Sequence, residues 1–127
     1  MKKLALLAIA GLVSVSASAI SFDEVYEDNR STVYVSEKSR SGDKVEALVT
    51  NIYKRNMTFS LLSIEYNRII ESVEFICSTP RQSKSLLMIT YLDGKEVDRS
   101  DLSMFASYED VDRSASETAV ADFLCSR

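Results

Sequence analysis

Carboxylates and cysteines are the side chains of this sequence whose types and spacing suggest chemistry, because the chain has no histidine. Without histidine it lacks the commonest general base, the usual activator of serine and cysteine nucleophiles, and the commonest zinc ligand. Two carboxylates can hydrolyse a glycosidic bond, but a solvated acidic loop is the more common origin of such a cluster. We therefore predict no catalytic residues, no bound metal and no cofactor. The acidic side chains in question are Asp98, Asp101, Glu109, Asp110 and Asp112.

Motifs for binding phosphate, calcium or nucleic acid are missing from the sequence. No D-x-D-x-D-G calcium loop occurs, and the three glycines leave little for a phosphate-binding loop. The densest basic points are Lys54-Arg55 and the pair Arg81 and Lys84, in a chain with a formal charge of −4. A nucleic-acid partner requires clustered positive charge. We expect no nucleic acid to bind.

The first nineteen residues have the composition of an export signal. Met1–Lys3 is cationic, Leu4–Val15 is almost continuously apolar, and Ala17–Ala19 supplies the small residues that signal peptidase requires. We predict that residues 1–19 are removed and that residues 20–127 form one exported domain. The apolar run is too short for a stable membrane anchor, and no cysteine follows it to accept a lipid. The expected location is the periplasm, the cell surface or the medium.

Both cysteines, Cys77 and Cys125, lie in the predicted exported part. In an oxidising compartment an even pair indicates one disulfide, although two buried free thiols are the alternative. A bridge closing a loop of about 49 residues restricts the unfolded chain by about 4 kcal/mol. The spacing differs from C-x-x-C, so we predict a structural bridge and no redox function.

The apolar pattern predicts an α+β domain with a small antiparallel sheet of five or six strands. Side chains alternate through Phe75, and Asp93-Gly94 between apolar runs is a strong hairpin signal. The segment from 57 to 70 alternates too, but it is long enough that a helix stays an alternative. Residues 20–30 are acidic and are expected to form a helical turn or an ordered arm. The predicted strands are 31–36, 44–53, 72–77, 82–92 and 96–100.

A capping box predicts a helix near the C-terminus. Ser114 is followed three residues later by Glu117, the arrangement in which each residue satisfies a backbone N–H of the other. The helix is predicted over Ala115–Leu124, packed on one face of the sheet. Cys125 follows Ala121 by one turn, so the disulfide would tether this helix to the sheet.

Four segments resemble the surface-adhesin protein E family. That family has a small antiparallel sheet with a C-terminal helix tethered by a disulfide. Its members are exported bacterial proteins, among them an outer-surface adhesin that binds host matrix and serum proteins. The resemblance covers roughly residues 31–126 and implies a non-catalytic binding module with a capacity to dimerise. The segments are Ser72–Cys77, Leu86–Tyr91, Asp93–Val97 and Phe123–Ser126.

The expected function is therefore contact with a protein partner, either a host extracellular matrix protein or an envelope protein. The alternatives are a periplasmic inhibitor of a cell-wall hydrolase, acting through the segment Arg99–Arg113, and, least favoured, a small carboxylate-dependent hydrolase. Tyr108, beside Glu109 and Asp110 in an irregular segment, is the predicted contact residue because aromatic side chains anchor interfaces. A homodimer is also expected, built through a sheet edge or through an exposed aromatic patch. Thr32–Val35 carries no charge in its middle and would be a poorly protected edge if it lay outermost.

Overall fold

The computed structural model describes residues 3–4 and 21–126. It contains an antiparallel sheet, one C-terminal helix and the Cys77–Cys125 disulfide, as predicted. Most of the predicted signal peptide, including its cleavage site before Ile20, lies outside the described residues and stays a prediction. Within the described ranges, no helix has the length and apolar character needed to cross a membrane.

The described chain forms eight strands and then one helix. Six strands have six residues or more, and two have only two residues, so the sheet is slightly larger than the five or six strands predicted. The elements are β1 (Lys3–Leu4), β2 (Phe22–Glu27), β3 (Ser31–Ser41), β4 (Lys44–Phe59), β5 (Ile64–Ile76), β6 (Gln82–Leu92), β7 (Lys95–Asp101), β8 (Glu109–Asp110) and α1 (Ala115–Cys125).

The sheet is a meander in which each strand from β1 to β7 pairs with the next in the chain. Strand β7 pairs with only one half of β6, from Leu87 to Leu92. At the other end of β6, Gln82 pairs with Asp110 and Ser83 with Glu109 of β8. The segment between β7 and β8 therefore crosses from one half of β6 to the other and emerges near α1.

Two segments left open by the sequence are strands. Residues 22–27 form β2, so the acidic N-terminal segment is neither a helical turn nor an arm. Strand β4 continues to Phe59 and β5 begins at Ile64, which excludes the helix considered for 57–70. The predicted Asp93-Gly94 hairpin is confirmed. Both residues have positive φ, 51° and 87°, as the preferred two-residue hairpin turn requires.

Thr32–Val35 is not an edge of the sheet. These residues pair with β2 on one side and with β4 on the other, so the edge contact considered for a homodimer has no basis in this segment. Among the described strands, β7 is an end of the sheet, and its residues Lys95–Asp101 are rich in charge of both signs. Charged edge strands resist pairing with another sheet.

The main core lies between one face of the sheet and α1. Branched side chains at alternate positions of β3, β4 and β5 point to this face because successive strand residues alternate sides. Removing each such side chain from water stabilises the fold by about 1.5 to 3 kcal/mol. The buried cluster comprises Val33, Val35, Val45, Ala47, Val49, Val73, Phe75, Val111, Val120, Ala121 and Leu124.

Helix α1 begins and ends close to the predicted bounds. The Glu117 backbone N–H donates to Ser114 Oγ at 3.2 Å, so the predicted N-cap is confirmed. The Glu117 carboxylate instead accepts from Arg113 Nη2 at 3.5 Å. At the other end the disulfide joins Cys125 to Cys77 with their Cα atoms 5.4 Å apart. The helix is thus covalently held to the end of β5.

Candidate functional site

A cleft of about 230 Å³ opens on the helix side of the sheet. Its walls come from β3 to β6, from α1 and from the segment that follows β7. Its apolar lining comes from five core side chains, namely Val33, Val49, Val73, Phe75 and Val120. Four serines also line it, namely Ser83, Ser85, Ser107 and Ser116. The cleft therefore combines apolar surface with many polar groups.

Glu71 places a carboxylate inside this cleft. It lies opposite Val49 of β4 and shares the face of β5 that also carries Val73 and Phe75. Its Oε2 accepts a 2.7 Å hydrogen bond from Ser85 Oγ on the neighbouring strand. Burial raises the pKa of the Glu71 carboxyl, the Ser85 hydrogen bond lowers that pKa, and the negative charge of Glu117 raises it again, for a net upward shift.

The mouth of the cleft carries three further charges. Arg113 lies between two carboxylates, with Nη1 2.6 Å from Glu109 Oε1 and Nη2 3.5 Å from Glu117 Oε2. Arg113 therefore compensates the rim carboxylates. Glu71, by contrast, forms no salt bridge within the described part of the chain, and no cation contributes to its pKa shift. Glu71 was not predicted as a site residue, although its place in the alternation of β5 made it a polar residue on the core face.

Tyr108 lies on the sheet and its hydroxyl is occupied. It donates to Glu74 Oε2, and Lys84 Nζ lies 4.5 Å from the centre of its ring. The hydrogen bond to Glu74, with burial and the carboxylate charge, raises the pKa of Tyr108 to about 12. The same bond, assisted by Lys44, lowers the pKa of Glu74. The predicted partner contact of Tyr108 stays a prediction, and its half-buried ring also anchors the segment before β8.

Glu109 and Asp110 form β8 and are both exposed. Glu109 lines the cleft mouth, whereas the backbone carbonyl of Asp110 accepts from Arg113 Nε at 3.1 Å. The other predicted acidic residues are engaged elsewhere. Asp101 accepts from Ser103, and Asp112 accepts from Arg81 and from Thr118. Of the acidic residues predicted from the sequence, Glu109 therefore lines the cleft. Glu71 of β5 and Glu117 of α1 line it too.

Two apolar side chains project from the segment between β7 and β8. Met104 is 86% exposed and Phe105 is 84% exposed. Their backbone is held near the sheet, since the Leu102 N–H donates to the Leu86 carbonyl at 2.9 Å and the Phe105 N–H to the Leu102 carbonyl at 3.0 Å. We call residues 102–107 the contact loop. Its signal in the sequence was two large apolar neighbours in an otherwise polar segment.

A second apolar pair lies at the turn between β4 and β5. Leu61 is 95% exposed and Leu62 is 60% exposed. Backbone hydrogen bonds from Leu62 and Ser63 to the Phe59 carbonyl close this turn. Leu61 and Leu62 lie in a different turn from the contact loop and do not line the cleft.

Comparison of the chain with protein-family models, with curated proteins and with solved structures finds no match. The described residues also contain no group of three or more metal-ligating side chains.

Proposed function

We propose that this protein is a non-catalytic exported binding module that contacts a protein partner through its contact loop. The observation that carries the proposal is the exposure of Met104 and Phe105 at the tip of a loop whose backbone is bonded to the sheet. Large apolar side chains that remain in water gain free energy when a partner covers them. A loop that is already ordered loses less entropy on binding than a flexible one.

The expected partner is a host extracellular matrix protein or a protein of the cell envelope. The resemblance of Ser72–Cys77 and Phe123–Ser126 to the surface-adhesin protein E family supports this class of function. Aromatic and Met side chains are enriched at protein interfaces, which makes Phe105 and Met104 suitable anchors. The neighbouring Tyr108, Glu109 and Asp110 would then lie at the rim of the contact.

A second candidate function is inhibition of a cell-wall hydrolase. The contact loop lies within the segment Arg99–Arg113, and an inhibitor presents a protruding loop to an active-site cleft. The exposure of Phe105 favours this candidate as much as it favours an adhesin. The two functions differ in the partner and not in the surface of this protein that is used.

The test is a pull-down with the exported, disulfide-bonded protein. Purified host matrix proteins and a periplasmic extract are compared as sources of partner, and captured hydrolases are assayed for residual activity. The double variant Met104→Ser/Phe105→Ser should lose the partner. The matched control is Leu61→Ser/Leu62→Ser, which removes another exposed apolar pair in a different turn and should retain the partner.

The source of the partner separates the two candidate functions. Capture of a matrix protein supports the adhesin, and capture of a hydrolase with loss of its activity supports the inhibitor. Equal capture by wild type and by the contact-loop variant would contradict the proposed surface.

A further inference from the structure

We propose that the cleft binds a small ligand group that carries a primary ammonium, with Glu71 as its counter-ion. This proposal does not depend on the contact loop or on a protein partner. It rests on the size of the cleft, on the distribution of charge along its walls and on the serine hydroxyls that line it with Glu71.

The cleft has the size and the wall for an alkyl chain. A water molecule takes about 30 Å³ of liquid volume, so a space of about 230 Å³ holds a ligand of several heavy atoms. The side chains of Val73 and Phe75 on the sheet and of Val120 on α1 offer apolar surface in this space. An alkyl chain lying against them would be removed from water.

Some carboxylates of the cleft have a cationic partner and Glu71 does not. Arg113 is shared between Glu109 and Glu117 at the mouth. Glu71 is half-buried beside the apolar side chains, and within the described residues Ser85 is its side-chain hydrogen-bond donor. A carboxylate that is partly removed from water is costly unless a cation or further donors compensate it. A ligand cation would supply that compensation.

An ammonium group fits the available acceptors. It has three N–H donors and no acceptor. The Glu71 carboxylate can accept one or more of these donors, and the hydroxyl of Ser107, which also lines the cleft, is a further acceptor in the same space. Hydrogen bonds between two charged groups are among the strongest in proteins.

Other ligand classes fit less well. An anion would meet three carboxylates and only one arginine, Arg113, along the walls. Calcium requires six to eight oxygen ligands, and the described residues hold no group of three or more acidic, histidine or cysteine side chains arranged for a metal. A neutral alcohol would leave Glu71 without a compensating charge.

Proton and ammonium compete for the same carboxylate. Burial raises the pKa of Glu71, so the empty cleft favours its protonated form more than water does. A bound ammonium favours the ionised form instead. Ligand affinity should therefore fall as the pH is lowered and Glu71 takes up a proton. The charged groups that line the cleft with Glu71 are Glu117 on α1 and Glu109 on β8, with Arg113 between them. Tyr53 on β4 is the further titratable neighbour, and its pKa is raised by burial, by Tyr66 and then by the Glu71 charge.

The ammonium has two sources that the geometry does not separate, a free small amine and the lysine side chain of a polypeptide. The test is a titration of the exported, disulfide-bonded protein followed by amide chemical shifts in nuclear magnetic resonance. The probes are n-butylammonium, the neutral 1-butanol, the anionic butyrate and Nα-acetyl-lysine amide. Butylammonium should give saturable shifts at Glu71, Ser85 and Val120, and butanol and butyrate should not.

The variant Glu71→Gln should bind butylammonium about ten- to a hundredfold more weakly, since it removes the charged partner of the hydrogen bond. The matched control Glu65→Gln changes an exposed carboxylate at the start of the same strand and should bind as wild type does. Should Glu71→Gln fail to fold, the loss of wild-type affinity on acidification provides the same information without a substitution.

The arms of the titration have distinct meanings. Tight binding of butylammonium without binding of acetyl-lysine amide indicates a free amine, and comparable or tighter binding of the amide indicates a lysine side chain. Absence of saturable binding by either ammonium probe, equal binding of butanol, or unchanged affinity in Glu71→Gln would overturn the proposal.

Discussion

Ser85 Oγ donates a 2.7 Å hydrogen bond to Glu71 Oε2 across the β5–β6 pair, inside the cleft beside α1. The bond stabilises the ionised carboxyl, yet burial has the larger effect and raises the pKa of Glu71. The folded protein therefore holds this proton more tightly than the unfolded chain, in which the ordinary pKa is 4.5. Ionised Glu71 must destabilise the fold at neutral pH.

The first prediction concerns the pH dependence of stability. A raised folded pKa contributes stability that is present below the unfolded pKa of 4.5 and is lost as the pH rises through the folded pKa. Glu71→Gln has no carboxyl to ionise at this position, so it does not lose this stability as the pH rises. The variant should therefore gain stability relative to wild type as the pH rises from 4 toward neutral, as measured by urea unfolding at several pH values. A wild-type advantage that grows over the same range would contradict the burial of a charged Glu71.

The second prediction concerns the disulfide. Replacing both Cys77 and Cys125 by alanine should lower the free energy of unfolding by about 2 to 5 kcal/mol, because the unfolded chain loses a constraint that closes a long loop. Helix α1 should loosen first, since it has 11 residues and isolated helices of that length are marginal in water. Hydrogen exchange measures both effects. Amides of α1 should lose more protection than those of the β4–β5 pair, and uniform loss throughout the domain would contradict the local role.

The third prediction concerns the hydroxyl of Tyr108. Tyr108→Phe removes the hydrogen bond to the Glu74 carboxylate and should cost about 1 kcal/mol, after allowance for partial exposure of the pair. In an ultraviolet titration, the variant should also lack the tyrosine whose pKa is raised to about 12.

Glu74 sets the pH dependence of that cost. Its folded pKa is lowered below 4.5, so its contribution is present above the unfolded pKa and is lost as the pH falls through the folded pKa. The cost of Tyr108→Phe should therefore shrink in acid. Tyr34→Phe is the control, because the Tyr34 hydroxyl forms no hydrogen bond to a side chain or backbone group within the described residues. Equal costs for the two variants would contradict the Tyr108–Glu74 bond.

The elements with strong local signals were predictable from the sequence. The bounds of β6 match those expected, because the Asp93-Gly94 turn fixes one end and Pro80 precedes the other. Helix α1 starts as expected because the Ser114 hydroxyl accepts from the backbone of the first turn. Strand β2 was missed because Asp23 and Glu24 interrupt the apolar alternation on which a strand prediction depends.

The cleft was less predictable than the fold. Glu71 belongs to the alternation of Val73 and Phe75, so the sequence placed a carboxyl on the core face without showing what would surround it. Its surroundings come from Ser85 on the next strand and from Glu117 on α1, which are 14 and 46 residues away in the chain. Contacts at such distances depend on the strand order and on where the disulfide holds the helix.

The fourth prediction concerns assembly. The expected homodimer stays a prediction, but Thr32–Val35 is paired on both sides and cannot supply its edge. A dimer would then use an exposed apolar surface, and the pair Met104 and Phe105 provides one that includes an aromatic side chain. Light scattering across micromolar concentrations should show a dimer that Met104→Ser/Phe105→Ser converts to a monomer. A monomeric mass of the wild type at every concentration would contradict the predicted homodimer.

The fifth prediction, which tests the proposed function most directly, is photo-crosslinking from the contact loop. A photoreactive phenylalanine analogue at position 105 is compared with the same analogue at position 61, where Leu61 is 95% exposed in the turn between β4 and β5. The same analogue at position 97 of β7 is a second control, outside the contact loop. The exported protein is irradiated in its own cells and then with host matrix proteins added. We expect position 105 to form a covalent adduct with one defined protein and positions 61 and 97 to form none. Absence of any adduct at 105, or the same adducts from all three positions, would contradict a binding module that acts through this loop.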